Sequence, residues 1–337
     1  MYILKLFLRL KIDEFVILIK FIFLEGFILI MDLSLAKKIE LTDKSLFDSY
    51  FLEFKPQISE FTFTNLFMWR KYYDFLFTEL NDHLIIFSKN YLSKWKKPQS
   101  NNHDVIFFLP PVGKKPDEII FKLFDHLDNI EIHRVSEENI NRIKGNDKIT
   151  NFNLEIIDDR DNWDYVYEKE ELVSLAGNKY RQKRRWLKKF CEQYDYKFNF
   201  ISGKYIKKAR QLQYEWSDMN DFQTEKGLKE EQKAIDEIFD NFLVLNPRGG
   251  ILCTDENCVG YTLGERLNNN TFVIHIEKAH LEYEGSYQAI NNLFLKSCCK
   301  KTIFINREQD LGIPGLKKAK ESYKPNHMIK KYIIFKQ

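Results

Sequence analysis

The run TFVIHIEKA places an imidazole and a carboxylate two residues apart, which is enough to start a chemical reading. In an extended chain alternate side chains share a face. Val273, His275 and Glu277 are therefore expected on one side, and Phe272, Ile274, Ile276 and Lys278 on the other. A carboxylate at a strand end can take the proton that an amine or hydroxyl loses as it attacks a carbonyl, and burial raises its basicity for that task. Glu277 is the first candidate for a general base, with a strand-end pair to Lys278 as the structural alternative. His275 reads either as a second polar group on the substrate side or as a satisfied core histidine. Glu265, which ends the neighbouring run GYTLGERL, is a further acid candidate.

A second constellation is NREQDLGIPGLKKAKESYKP, Asn306 to Pro325. It follows the apolar run TIFIN, so Asn306, Arg307, Glu308 and Asp310 should emerge at a strand's C-terminal edge, where sites collect. Gly312 and Gly315 permit a φ-positive loop around Pro314. Lys317, Lys318 and Lys320 are then expected near a helix start, where cations oppose the dipole and should be there to meet an anion. Arg307 and Lys318 are assigned to anionic groups, and Glu308 and Asp310 to orienting a nucleophile or its ammonium. The structural alternative is a salt-bridge knot bracing the last strand. The third constellation is GNKYRQKRRWLKKF, in which seven of the eleven residues from Lys179 to Lys189 are basic. Tyr180, Leu187, Phe190 and Cys191 keep helical spacing, so this helix can dock by one side and present Lys179, Arg181, Lys183, Arg184 and Arg185 on the other. Such a face attracts tRNA phosphates or an anionic membrane surface, and Trp186 offers a stacking plane. It can equally pair with the acidic run DDRDNWDYVYEKEE.

Positioning these groups falls to a chain whose halves repeat one order. In the first half, helix signals at Thr42–Phe54 and Thr62–Tyr72 precede the apolar runs FLFTEL, HLIIFS and VIFFLPP. A helix at Pro116–Leu127, a strand near Glu131–Val135 and a helix capped by Ser136 follow. The acidic run breaks the apolar pattern, and the domain boundary is placed at Asp158–Asp164, giving domains 31–160 and 161–337. The second half repeats helices, then the strands GGILCTD, CVGYTLGERL and TFVIHIEKA, then a helix at Gly285–Lys300, TIFIN, and a last strand MIKKYIIF. Helices, a meander, a helix and a strand make an α+β order on a mixed sheet. FTFTNLFMWRKYY reads as a core helix, with Trp69 and Arg70 toward the other half, and the first domain reads as a scaffold or lid.

The totals set outer bounds. The chain of 337 residues, 44% hydrophobic and 15% aromatic, is globular and long enough for two cores. Its net charge of +3 names no partner by itself. Cys191, Cys253, Cys258, Cys298 and Cys299 form no zinc pattern and read as buried free thiols of a reducing cytosol. Residues 1–30 carry the apolar run Phe15–Ile30, broken by Lys20 and Glu25 and short for a membrane span. They read as an unnatural or unstructured extension ahead of a start at Met31, with a membrane anchor as the alternative.

Four motifs in order, SEFTFTNLFMWR, LAGNKYRQKRRWLKKF, IHIEKAHLEYEGSYQAINNLF and INREQDLGIPGLKKAKESYKP, resemble the stand-alone family similar to the C-terminal domain of phosphatidylglycerol lysyltransferase, over Met31 to the end. The resemblance implies two GNAT-like domains in tandem, each a mixed, largely antiparallel sheet flanked by helices. It implies an acyltransferase; with the residue readings above, the second half is expected to be catalytic, and Glu277, Glu308, Asp310 and Tyr323 to be its working residues. Tyr323 resembles the tyrosine that protonates the departing group in GNAT enzymes. His275, Lys278, Gly285, Tyr287, Asn306, Arg307, Lys317 and Lys318 are the residues expected around substrate. CoA-using members carry Q/R-x-x-G-x-G/A at the turn whose N–H groups hold the pyrophosphate. Here those positions are Glu282, Gly285 and Tyr287, a repulsive acid, one glycine and a bulky ring. Aminoacyl-tRNA is therefore the expected donor, acyl-CoA the alternative, and a lipid headgroup or small polar acceptor the expected recipient. No metal and no tightly bound cofactor are expected, and the location is cytoplasmic with peripheral contact to an anionic membrane. A non-catalytic module sitting on RNA or anionic membrane is the remaining class.

Overall fold

Local signals set the helix ends of the first half. Thr62 caps α2 (Phe63–Tyr73) by accepting from the Asn65 N–H, after α1 (Lys44–Phe54). Pro116 starts α3 (Pro116–His126), and Ser136 caps α4 (Glu137–Lys144), whose acids lead and bases trail along the dipole. The structure is a computed structural model describing residues 33–92, 97–219, 226–255, 257–299 and 301–337. The apolar segment Phe15–Ile30 lies outside these residues. Lys37–Gln337 forms one compact unit, and Leu33–Leu35 ahead of it makes a 3-10 turn. No helix among the described residues is long and apolar enough to cross a membrane.

The described residues build two seven-stranded sheets on one plan. The first contains β1 (Lys37–Lys38), β2 (Leu76–Leu80), β3 (His83–Ser88), β4 (Ile106–Phe108), β5 (Ile130–Ser136) and β6 (Leu154–Asp158). The second contains β7 (Asp164–Glu168), β8 (Tyr196–Phe200), β9 (Arg248–Thr254), β10 (Asn257–Arg266), β11 (Thr271–Ala279), β12 (Phe304–Asn306) and β13 (His327–Ile329). The strand that completes the first sheet is β14 (Lys331–Lys336), inserted between β5 and β6. In each sheet one parallel step, β4 to β5 or β11 to β12, interrupts antiparallel pairing, and a helix makes the crossover. That helix is α3 in the first sheet and α10 (Ser286–Cys298) in the second. The remaining helices are α5 (Lys169–Ser174), α6 (Arg181–Gln193), α7 (Lys204–Met219), α8 (Lys226–Asp240), α9 (Phe242–Leu245) and α11 (Pro314–Glu321).

One apolar core runs through both halves, from Phe47, Phe63 and Leu66 to Ile235, Ile238, Tyr261 and Ile276. Arg70 joins them at its edge through an ion pair to Glu237 of α8 at 2.8 Å. Beneath it lies a buried charge network. Lys331, fully buried, meets Asp164 at 2.6 Å and Glu60 at 2.6 Å, and Arg134 meets Glu60 at 3.0 Å and Asp159 at 2.6 Å.

Three sequence expectations change here. The acidic run read as a break contains β7, with Tyr165, Val166 and Tyr167 buried, because Asp164 finds Lys331 and so tolerates the interior. The single last strand MIKKYIIF is two, β13 in the second sheet and β14 in the first, so the chain's end belongs to the first sheet. The cysteines are not all free and buried. Cys253 and Cys258 face each other across the β9–β10 pairing and form a disulfide, and Cys191 is exposed, while Cys298 and Cys299 are buried thiols.

Candidate functional site: the parting of β11 and β12

The parallel strands pair only from Thr271 with Phe304 to Val273 with Asn306. Beyond that point the chain after β12 follows β7, with the Arg307 N–H donating to the Tyr165 carbonyl at 2.9 Å. On its other side β11 carries a bulge, since Leu263 pairs with Ile276 and Gly264 with Ile274, leaving His275 as the extra residue. Gly264 is needed there: a Cβ would lie 2.2 Å from the Val273 carbonyl oxygen. The two strands thus part just where the polar residues begin.

The bulge corrects the face assignment. Phe272 and Ile274 pack with Phe294 of α10, whereas Ile276 enters the core shared with α7 and α8, so alternation is reset at His275. Glu277 therefore points to the α10 side and His275 with Lys278 to the other. A sequence pattern of strict period two carries no mark of an inserted residue. Glu277 accepts from Arg307 Nη2 at 2.7 Å and from Asn291 Nδ2 at 2.8 Å. Lys278 is not its partner but reaches Glu231 of α8 at 2.9 Å, with its ammonium 3.7 Å from the Trp216 ring centroid.

Around the Glu277–Arg307 pair stand the rings of Tyr323 and Tyr167, with the guanidinium carbon 5.0 Å and 5.8 Å from their centroids. Tyr323 is buried just past the end of α11, and burial pushes its hydroxyl up to about 12, although the guanidinium pulls the other way. Lys183 of α6 closes the group, 4.2 Å from the Tyr323 centroid, its ammonium pushed down to about 8 by burial and then by the guanidinium.

On the opposite face the first half contributes. His275 Nδ1 contacts Glu308 at 2.8 Å and Nε2 contacts Glu265 at 3.0 Å, with Asn65 of α2 donating to Glu308 at 3.1 Å. Burial alone would lower the imidazole, but these carboxylates hold it up at about 9, as a cation. Glu308 reaches it from a left-handed backbone, φ 57°, fixed by its N–H donating to Asn306 Oδ1 at 2.8 Å. Arg307 and Glu308 thereby send neighbouring side chains to opposite faces of the sheet.

Apart from Asn306, which fixes Glu308, the other expected site residues lie outside these two clusters. Asn306 donates to the buried Asp164 at 3.0 Å. Asp310 accepts from the Tyr165 hydroxyl at 2.6 Å, from Gly312 N–H at 2.8 Å and from Arg160 at 3.2 Å, which overcome burial and hold its carboxyl below the ordinary range. Gly312 turns with φ 73°, but Gly315 sits inside α11. Because that helix is short and starts at Pro314, Lys318 and Lys320 occupy its last turn and agree with the dipole, contrary to expectation. Lys317 and Lys318 are exposed, and Lys320 turns to the carbonyls of Arg307 and Glu308. Gly285 caps α10 with φ 91°, and a Cβ there would lie 2.2 Å from the Trp186 carbonyl oxygen, so α6 covers this turn. Tyr287 accepts from Trp216 Nε1 at 2.9 Å. Arg184 of α6 is spent on the carbonyls of Leu175 and Gly177, and Lys179, in the 3-10 turn just before that helix, on Glu171, leaving Arg181 and Arg185 exposed. Sequence reading passed over Asn291, Tyr167 and Asn65. Only Asn65 had a signal, three residues after the cap Thr62.

Two sheets of one plan, each flanked by helices, with a parallel pair that parts over a polar cluster, define a tandem GNAT-like α+β fold of acyltransferase type. Residues 52–335 match the family described as phosphatidylglycerol lysyltransferase, C-terminal, and the chain belongs to that family. A conserved protein of unknown function from Bacteroides thetaiotaomicron has the same fold, with TM-score 0.80 and 29% identity, over 90% of this chain and 99% of that one. L-PGS from Bacillus licheniformis is similar in fold at TM-score 0.60 and 14% identity, over 87% of this chain and 92% of that one. An uncharacterised protein of Mycoplasmoides gallisepticum is 27% identical over 189 residues, 54% of this chain, and the match spans 59% of that relative's length.

Proposed function

We propose that the protein transfers an aminoacyl group from aminoacyl-tRNA to a lipid headgroup or small polar acceptor, at the parting of β11 and β12. The observation that carries this reading is the convergence of Glu277, Arg307 and Tyr323 where those strands separate. The acceptor's amine or hydroxyl attacks the ester carbonyl, a C–N or C–O bond forms, and the acceptor proton passes to Glu277. The tetrahedral intermediate then expels the ribose oxygen, which takes a proton from Tyr323, a phenol that stays protonated at neutral pH. Arg307 holds Glu277 in place, and exposed Arg181 and Arg185 attract the donor's phosphates. His275, Glu265 and Glu308 brace the opposite face and tie the first half to the reacting strands.

The turn before α10 supports an aminoacyl ester over acyl-CoA, because the Trp186 carbonyl lies against Gly285 where a diphosphate would need open N–H groups. Such a reaction is cytoplasmic, and a lipid acceptor would bring the protein to an anionic membrane surface. Full-length protein with a radiolabelled aminoacyl-tRNA and phosphatidylglycerol vesicles should yield labelled lipid or a labelled small acceptor from a cell extract. Glu277→Gln should lower the rate by about 100-fold or more while leaving the fold intact. Full turnover in that variant, or transfer from acyl-CoA in place of aminoacyl-tRNA, would overturn the reading.

A further inference from the structure

The hairpin of β9 and β10 carries two irregularities side by side. Cys253 stands directly opposite Cys258, and the two form a disulfide. The next register pair is Leu252 with Gly260, so Val259 is an extra residue, a bulge. Both cysteines pack on the core shared with α7 and α8, as does Tyr261. Val259 belongs instead to the small cluster in which Phe190 of α6 meets Leu252, Ala279 and, from α10, Ala289 and Ile290. Gly260 turns the same way, since a Cβ there would lie 3.2 Å from the Ala279 Cβ and 3.4 Å from the Ile290 Cβ.

The two irregularities depend on each other. In a regular strand, side chains three residues apart face opposite sides. Counting back from Tyr261 without a bulge would send Val259 to the α7 side and Cys258 to the α10 side, away from Cys253. The disulfide therefore requires the bulge, and a straight β10 requires that the disulfide be open. The cysteines are only 5 apart in sequence, and so short a loop restrains less of the unfolded chain than a long one, so what the crosslink chiefly fixes is this register. Cys258 is half-buried and Cys253 is buried, which makes Cys258 the sulfur that an incoming thiolate reaches. The bulge is also tied forward along the chain. The Val259 carbonyl accepts from the His280 N–H at 2.9 Å, and the His280 carbonyl accepts from the Ser286 hydroxyl, at the start of α10, at 2.8 Å.

We propose that Cys253 and Cys258 form a thiol–disulfide exchange site, opened by a dithiol reductant, that sets how the basic helix α6 is seated. A thiolate of the reductant attacks the Cys258 sulfur, the S–S bond breaks, and Cys253 leaves as a thiolate that takes up a proton. The second thiol of the reductant then displaces Cys258. Two electrons and two protons pass to the pair, and the reductant ends as its own disulfide. With the crosslink open, β10 straightens, Val259 leaves the cluster beneath Phe190, and His280 loses its acceptor. The exchange site goes beyond the transfer reading and does not depend on it; only the step from α6 to the donor's phosphates rests on that reading.

The test purifies full-length protein without reductant and treats a portion with dithiothreitol. Alkylation in denaturant, read by intact mass, should count three free thiols before treatment and five after it. Hydrogen exchange should be at least tenfold faster in the reduced protein at the His280 amide and across α6, and unchanged across α3 of the first sheet. The double variant Cys253→Ser, Cys258→Ser should exchange like the reduced protein with or without dithiothreitol. Five free thiols before treatment, equal exchange of the two forms at either His280 or α6, or an acceleration that spreads equally to α3 would each overturn the proposal. Because no turnover is read, a failure to find aminoacyl transfer would leave the result standing.

Discussion

Replacing Lys331 by Met removes one ammonium from the middle of the buried charge network. Lys331 is fully buried, 2.6 Å from Asp164 and 2.6 Å from Glu60, so Lys331→Met leaves two carboxylates facing one another without their shared cation. Arg134 still meets Glu60, but nothing charged remains on Asp164. Breaking a buried pair in this way costs about 3–5 kcal/mol. At this chain length a kcal/mol is worth about 2 °C, so the melting temperature should fall by roughly 6–10 °C at pH 7.5. The neighbouring Lys330→Met provides the scale: Lys330 pairs with Glu137 on the surface, where such a pair is worth less than about 1 kcal/mol. The loss also has a pH signature. Burial already lifts the Glu60 carboxyl above its ordinary value, and Lys331 is the strongest influence pulling it back. Without Lys331 it rises further, so ionising Glu60 opposes folding more in the variant. The gap between variant and wild type should therefore narrow as pH falls toward 5 and widen toward neutrality. Differential scanning calorimetry at pH 5.5 and 7.5 measures both effects. A drop of under 2 °C, or one that is the same at both pH values, would refute the claim that this network holds a true buried ion triad.

Two further outcomes can be checked on the same instrument. His275 is held up at about 9 against an ordinary 6.5, so its contribution of about 3 kcal/mol is fully present below pH 6.5 and is lost as pH rises through 9; wild type should lose more stability between pH 6.5 and 9.5 than His275→Gln, and parallel curves would refute the ion-paired imidazole. Gly285→Ala combines a φ of 91° with a Cβ 2.2 Å from the Trp186 carbonyl oxygen, so it should cost at least about 1–3 kcal/mol, and a neutral result would mean that α6 does not cover the α10 turn.

What the chain revealed in advance were features written in single residues. Thr62, Ser136 and Pro116 mark helix starts by what their side chains or rings do locally, and those helices begin where expected. The two-sheet plan followed from the order of apolar runs. Features that depend on a distant partner stayed hidden. Asp164 reads as a loop residue until Lys331 is placed beside it, and of the adjacent Lys330 and Lys331 nothing local says which is interior. The bulge at His275 is the costliest omission, since one unpaired residue moved Glu277 and His275 to opposite faces and split one expected site into two clusters. Arg184 shows the same limit: a guanidinium in a basic run looks like a phosphate contact until backbone carbonyls occupy it.

The threading of β14 between β5 and β6 bears on how the molecule is assembled. A polypeptide halted at Asp158 would hold two facing strands with an empty lane between them, each offering unpaired N–H and C=O groups to any passing extended segment. The first sheet can close only after Lys331 has arrived from beyond the entire second one, so neither lobe ripens alone, and the slow step of folding should be this long-range docking. Splitting the gene at the lobe boundary should therefore give fragments that clump singly and recover solubility only when co-expressed.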